Sequence, residues 1–207
     1  MKKGLITGVV VIAVLVAAFV WVKNVYNQMV VSDENVQAMW SQVENVYQRR
    51  ADLIPNLVAT VKGYASHESE TLESVVAARA KATQVTVDPE NLTPEALEQF
   101  NAAQGELSSA LGRLLLIQES YPELKANQNF LELQAQLEGT ENRIATERMK
   151  YNEAAKYFNT GIRQFPDNIV ASIFGFEKKG YFEAQAGAET APKVEFERIN
   201  TGNLINF

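Results

Sequence analysis

The chain of 207 residues contains no cysteine and a single histidine. The first absence excludes disulfides, thiol catalysis, iron–sulfur clusters, thiolate zinc sites and an N-terminal lipid-modified cysteine. It suits either side of a membrane and so does not fix the compartment. One histidine supplies one candidate base, and no nucleophile motif flanks it, which argues against a hydrolytic triad. There is no glycine-rich phosphate loop, internal repeat or low-complexity tract. Positive charge is also in deficit: 19 Lys and Arg face 25 Asp and Glu, a net charge of −6. The first 22 residues hold Lys2 and Lys3 and no acid, so the remainder carries 17 against 25, or −8. Phosphate neutralisation needs clustered Lys and Arg, so this acidic body is not expected to bind nucleic acid. The length suits one domain of ordinary size.

What the sequence does hold begins with an apolar run. "MKKGLITGVVVIAVLVAAFVWVK" is uncharged from Gly4 to Val22. Nineteen helical residues span roughly 28 Å, close to the hydrocarbon thickness of a bilayer. A lone segment in lipid must satisfy its own backbone hydrogen bonds, so it must be helical. Residues 1–23 are therefore expected to form a single transmembrane anchor. Leu5, Ile12, Leu15 and Phe19 would face lipid, with Trp21 and Tyr26 where aromatic rings favour the interface. The rival is a signal peptide cut at Val16-Ala17-Ala18, releasing an exported binding protein. The apolar run continues through Phe19, Val20, Trp21 and Val22, which favours the uncut anchor. Lys2, Lys3 and the terminal amine oppose Lys23 alone, so the positive-inside bias places the N-terminus in the cytoplasm and the body outside.

Heptad spacing organises the rest. Trp40, Tyr47, Ile54, Val61 and Val75 share one seven-residue series, joined by Val36, Val43, Leu57 and Tyr64, and predict a long helix over 33–85 with Ser32 as its N-cap. "TVDPENLTPEA" reads as a loop. Thr93 then caps a second helix with Pro94 at its first position, where the missing N–H costs nothing. Leu97, Phe100, Leu107, Leu111, Leu114 and Leu115 form its apolar face, and Pro122 in "SYPELKAN" breaks it. A third helix is predicted from Gln128 to Gln164, with Phe130, Leu137, Ile144, Tyr151, Phe158 and Phe165 seven apart and Pro166 closing it. "DNIVASIFGF" reads as a short helix and "KVEFERI" as extended. The expected fold is thus all-α: the anchor, an antiparallel bundle over 24–186 with three long helices and a short C-terminal one, and an extended tail over 187–207.

Landmarks in one order along this chain resemble the LemA family of membrane-anchored bacterial proteins. They are Arg49, Arg50 and Asp52 to Val58, then Tyr64-Ala65-x-His67-Glu68 and Ala78-Arg79. Tyr121-Pro122-Glu123-Leu124, Glu141-Asn142-Arg143-Ile144, Tyr151-Asn152, Phe165-Pro166 and Val194-x-Phe196 follow. The resemblance implies an N-terminal anchor on the bacterial inner membrane plus a helical bundle. It supplies no reaction, and residues 197–207 lie beyond it.

The polar residues within the apolar pattern are the candidate functional positions. Pro55 lacks an N–H and crowds the carbonyl of Ala51, so the helix is expected to bend there, with Asp52 and Asn56 bonding locally. Arg49 lies ~40 Å beyond Val22 along a continuous helix, while the Debye length is about 8 Å, so Arg49 and Arg50 could meet lipid headgroups only after a sharp break near Asn24–Ser32. Arg50, Glu68 and Glu147 fall on inward seams, where charge is costly unless paired. Counting residues down one helix and up the next places Glu147 near Glu68. They would then pair with Arg79, Arg113, Arg143 or Arg148 and set helix register. The alternative is a metal or hydrolytic site made by His67, Glu68 and Glu147. Neighbouring helical residues point about 100° apart, and no Glu-x-x-His pair is present, so that site is poorly supplied. No cofactor, metal or small-molecule substrate is expected. Phe174, Phe176, Tyr181 and Phe182, interleaved with Lys178 and Lys179, would cap the open bundle end or form a docking strip. The sequence thus points to a non-enzymatic scaffold or adaptor, contacting a second copy or another membrane protein through Arg49, Arg50, Asp52, Pro55, Asn56, His67, Glu68, Arg79 and Glu147.

Overall fold

The computed structural model describes residues 2–183. No glycine or proline lies between Gly8 and Pro55, so nothing in the backbone ends the helix that begins in the apolar run. The first helix, α1, accordingly extends without interruption from Lys2 to Tyr64 and continues through Pro55. A separate helix starting at 33 is corrected: Ser32 is not a cap but lies inside α1, its hydroxyl donating to the carbonyls of Gln28 and Met29 at 3.0 Å.

The predicted helix over 33–85 is in fact two helices. The series Ile54, Val61 reaches Glu68 at its next step, so a continued helix would bury a carboxylate. The chain turns instead, with Glu68 N–H donating to Ala65 O at 3.1 Å, and α2 (Ser69–Gln84) folds back along α1. Helix α3 (Pro94–Leu116) starts as expected, with Thr93 Oγ1 accepting from Ala96 N–H at 3.2 Å. A 3-10 turn (Ile117–Ser120) and the single-turn α4 (Pro122–Lys125) lead to α5 (Gln128–Gly161), where the Asn127 side chain accepts from Phe130 N–H at 2.9 Å. Pro122 thus opens α4 rather than only stopping α3. Helix α5 ends at Gly161, three residues short of the expected Gln164. Phe165 therefore leaves the seam and is 82% exposed. Helix α6 (Asp167–Phe174) ends on Gly175 with φ 75°, the left-handed cap that favours glycine. Residues 176–183 then run extended. The expected tail over 187–207, including "KVEFERI", lies outside the described residues.

Helices α1, α2, α3 and α5 pack in alternating directions around two apolar clusters. The distal cluster centres on Ile54, Leu57, Val61, Val75, Leu107, Leu114, Leu124 and Phe130. The proximal one, toward the N-terminal run, centres on Trp40, Tyr47, Phe100, Tyr151, Phe158 and Phe182. All four helices enclose the distal half. The proximal half is α1 and α5, closed by the start of α3, the loop before it, α6 and the extended segment. That segment is seated so tightly that a Cβ on Gly180 would lie 2.8 Å from Pro94 Cα, and Gly180 N–H donates to Leu92 O at 2.8 Å. The Trp40, Tyr47, Phe100, Tyr151 and Phe182 rings meet edge-on or stacked at 5.0–6.5 Å, spacings at which aromatic pairs add to simple area burial.

Candidate functional site

Between the two apolar clusters lies a polar layer built around Arg50, which is 1% exposed. Its guanidinium donates to Glu141 Oε1 and Ser108 Oγ, each at 2.8 Å, and to the carbonyl and side-chain oxygens of Gln104. It also stands over the Tyr47 ring at 5.1 Å. Gln104, itself buried, passes the network on by donating to Ala82 O at 3.3 Å. The layer therefore joins α1, α3 and α5 directly and α2 through Gln104. Arg50 is an inward charge with a partner, as expected, but that partner is Glu141. The carboxylate end of the pair is half exposed, so only the arginine has been fully withdrawn from water.

One turn further on, Pro55 has no N–H for the carbonyl of Ala51. Arg79 of α2 supplies the missing donor, its Nε lying 2.7 Å from Ala51 O. Because Ala51 is buried, leaving that carbonyl unpaired costs ~1–3 kcal/mol, the expected loss for Arg79→Ala. In a Pro55→Ala background the restored backbone N–H at that position can serve Ala51 O, so the same Arg79→Ala change should cost clearly less. A double-mutant cycle by urea unfolding measures this, and equal losses in both backgrounds would dissociate Arg79 from the proline.

The other candidates do not converge. Arg49, Asp52, Pro55, Asn56 and His67 are exposed, and Asp52 Oδ1 accepts from Gln48 at 2.8 Å. Glu68 sits at the distal tip, where Tyr121 O–H donates to it at 3.1 Å. That hydrogen bond, ahead of burial, holds the Tyr121 phenol above its ordinary value. Glu147 pairs with Lys150 at 3.0 Å on α5. The expectation that Glu68 and Glu147 share a level is overturned. Tyr64 meets Asn127 at 2.9 Å across α1 and α5, and Glu147 lies twenty residues, or roughly 30 Å, further along α5. Counting from a helix unbroken over 33–85 misses the turn that sets this level. Among the described residues neither glutamate pairs with an arginine, and no group of three His, Asp or Glu side chains is placed to hold a metal.

The seat of the extended segment carries the contacts that residue spacing did not reveal. Asn159 donates to Lys179 O and accepts from Lys179 N–H, both at 2.8 Å. Seven residues earlier, Asn152 treats Phe182 the same way at 2.8 and 2.9 Å. Each carboxamide thus replaces a neighbouring strand. Arg148 completes the row, donating to Glu183 O at 2.8 Å while its guanidinium covers the Phe182 ring. Lys179 is buried and paired with Asp33 at 2.7 Å. The aromatics of this region therefore divide, with Phe182 in the core and Phe174 exposed beside Tyr26 at a ring distance of 4.7 Å. The signal that could have found the seat is the repeated pair Tyr151-Asn152 and Phe158-Asn159, each amide following an aromatic core residue.

Tyr151 O–H donates to Gly180 O at 3.2 Å beneath this segment. Burial first, then the neighbouring Tyr181, pushes its phenol well above the ordinary range. Burial raises Tyr47 as well, against the nearby Arg148 and Arg50. An unfolded tyrosine ionises near pH 10, so above that pH the unfolded chain releases protons that the folded one retains. Stability is complete below about pH 10 and falls as pH rises toward the folded values. Urea midpoints across that range should fall with pH, with a shallower slope in Tyr151→Phe.

A concavity of about 340 Å³ opens between α1 and α5, lined by Val25, Gln28, Met29, Glu153, Lys156, Tyr157 and Asp167 among others.

Comparison with known proteins identifies relatives over most of the chain. Magnetosome protein MamQ 1 of Paramagnetospirillum magneticum is 30% identical over 91% of this chain and 76% of its own length. Magnetosome protein MamQ of Magnetospirillum gryphiswaldense is 30% identical over 80% and 67%, and Protein LemA of Metamycoplasma hominis is 26% identical over 87% and 75%. The LemA family pattern matches residues 39–196, from the helix around Trp40 to Val194-x-Phe196. This chain belongs to the LemA family.

Proposed function

We propose that this chain is a membrane-anchored, non-enzymatic structural protein of the bacterial envelope. Residues 4–22 cross the inner membrane once, with the N-terminus in the cytoplasm. The bundle stands outside as a platform for a second copy or another membrane protein. The observation that carries this reading is the continuity of α1. The segment long and apolar enough to cross a membrane and the central helix of the bundle are one element from Lys2 to Tyr64. Leu5, Ile12, Leu15 and Phe19 are 63–74% exposed along that segment, a surface that water would not tolerate on a free protein. The family's polar landmarks Arg50 and Arg79 are engaged by Gln104 and Glu141 and by a backbone carbonyl, which supports a positional role over a chemical one. The two MamQ relatives are named for a cellular structure, the magnetosome, and not for a reaction.

The test is made on the full chain in its own membranes. The protein should resist alkaline carbonate extraction, retain residues 1–22 by intact mass, and yield a discrete cross-linked species in intact cells. A chain cut near Ala18 and recovered in the soluble fraction overturns the anchor. An anchored chain that remains strictly monomeric and without captured partners overturns the platform.

A further inference from the structure

Exposed apolar surface is also found outside the proposed anchor, where α5 gives way to α6. Phe165 is 82% exposed, Ile169 48%, Ile173 72% and Phe174 51%. Ile169 and Ile173 are one turn apart on α6, so they share a face. The opposite face, Val170 and Ala171, is buried in the proximal cluster.

The height of this patch is what identifies its occupant. Trp21 and Val22, the last two residues of the charge-free run, are only half exposed because they pack against the cluster that contains Val170 and Ala171. Tyr26, one turn further along α1, faces Phe174 and Phe176 at 4.7 and 5.7 Å. Helix α6 therefore ends beside Tyr26, one turn beyond the apolar run, close to the level where a bilayer carrying that run has its interface. Exposed Lys23 and Arg163 flank the same level, as basic residues do at headgroups. A helix with a buried face toward protein and an apolar face outward at this depth is placed to sink that face into the headgroup and acyl boundary.

We propose that the α6 end of the bundle is a second membrane contact, a foot that seats Phe165, Ile169 and Ile173 in the lipid interface beside the anchor. The occupant is the same bilayer, because α6 meets α1 at Tyr26, one turn beyond the apolar run. The proposal rests on the reading that residues 4–22 cross that bilayer. With two contacts, one spanning and one interfacial, the bundle is fixed in its roll about α1 as well as held to the surface.

The absence of native cysteine makes the experiment direct. Single Ile173→Cys, Ile169→Cys, Ala18→Cys and Ser66→Cys variants of the full chain, each carrying a small environment-sensitive fluorophore, are reconstituted in phosphatidylcholine and phosphatidylglycerol vesicles. Quenching is read with nitroxide-bearing lipids and with aqueous iodide. The expected result is strong lipid quenching at positions 18, 169 and 173, several-fold above that at position 66, with iodide quenching in the reverse order. Lipid quenching at 18 with only iodide quenching at 169 and 173 overturns the foot and leaves the anchor standing. Protection of 169 and 173 from both quenchers also overturns it, assigning the patch to contact with a second copy. Absence of lipid quenching at 18 removes the anchor, and the foot with it.

Discussion

Arg50→Ala should lose on the order of 3–5 kcal/mol of folding stability, the usual cost of breaking a buried charged network by removing one partner. Arg50 is 1% exposed and touches Glu141, Ser108, Gln104 and Tyr47. Its removal leaves the buried Gln104 oxygen without its donor and a hole in the layer between the two apolar clusters. Glu141, being half exposed, can return to water. Glu141→Gln should therefore cost less, ~1–2 kcal/mol, since it removes the charge assistance and keeps a hydrogen bond. Equilibrium unfolding in urea measures both. An Arg50→Ala protein with native stability that no longer captured a partner would make Arg50 a docking residue, against the burial described here.

The second large effect is expected from Asn152→Ala combined with Asn159→Ala. The pair makes four hydrogen bonds to the backbone of Lys179 and Phe182. At about 1 kcal/mol each, with further cost for the buried amide and carbonyl left bare at Lys179, the double variant should lose ~3–5 kcal/mol. The same change should expose Lys179, which is buried in the native chain, so trypsin should cut there. Unchanged stability and an unchanged digest would show that Phe182 and its aromatic neighbours hold the segment without the amides.

Local features are legible in the residues, and relations between distant helices are not. The anchor, the Thr93-Pro94 start of α3 and the core series Phe130 to Phe158 on α5 follow from spacing within one segment, where helix geometry alone decides which residues share a face. Glu68 on an apolar series is equally visible, but spacing makes it an inward charge where it marks the end of the helix. That one misplaced boundary shifts every count made across the bundle. The true register is regular: from Trp40 to Arg50 and from Tyr151 to Glu141 are equal steps in opposite directions, and Tyr64 with Asn127 continues them. Partners 91 residues apart follow only once one such contact is known. The row of Asn159, Asn152 and Arg148 shows only as two amides that each follow an aromatic core residue, for a different reason. Its ligand is backbone, which carries no side-chain signature.

The unbroken course of α1 has a mechanical consequence. From Val22 to Tyr64 the helix rises roughly 60 Å as one uninterrupted element. Transmembrane helices adopt tilts over a broad range; with residues 4–22 in the bilayer as proposed, a change of about 10° in those turns would swing the Ala65–Glu68 tip sideways by about 10 Å. The protein then behaves as a pointer, converting small adjustments of lipid thickness or angle at its base into large displacements at its far end.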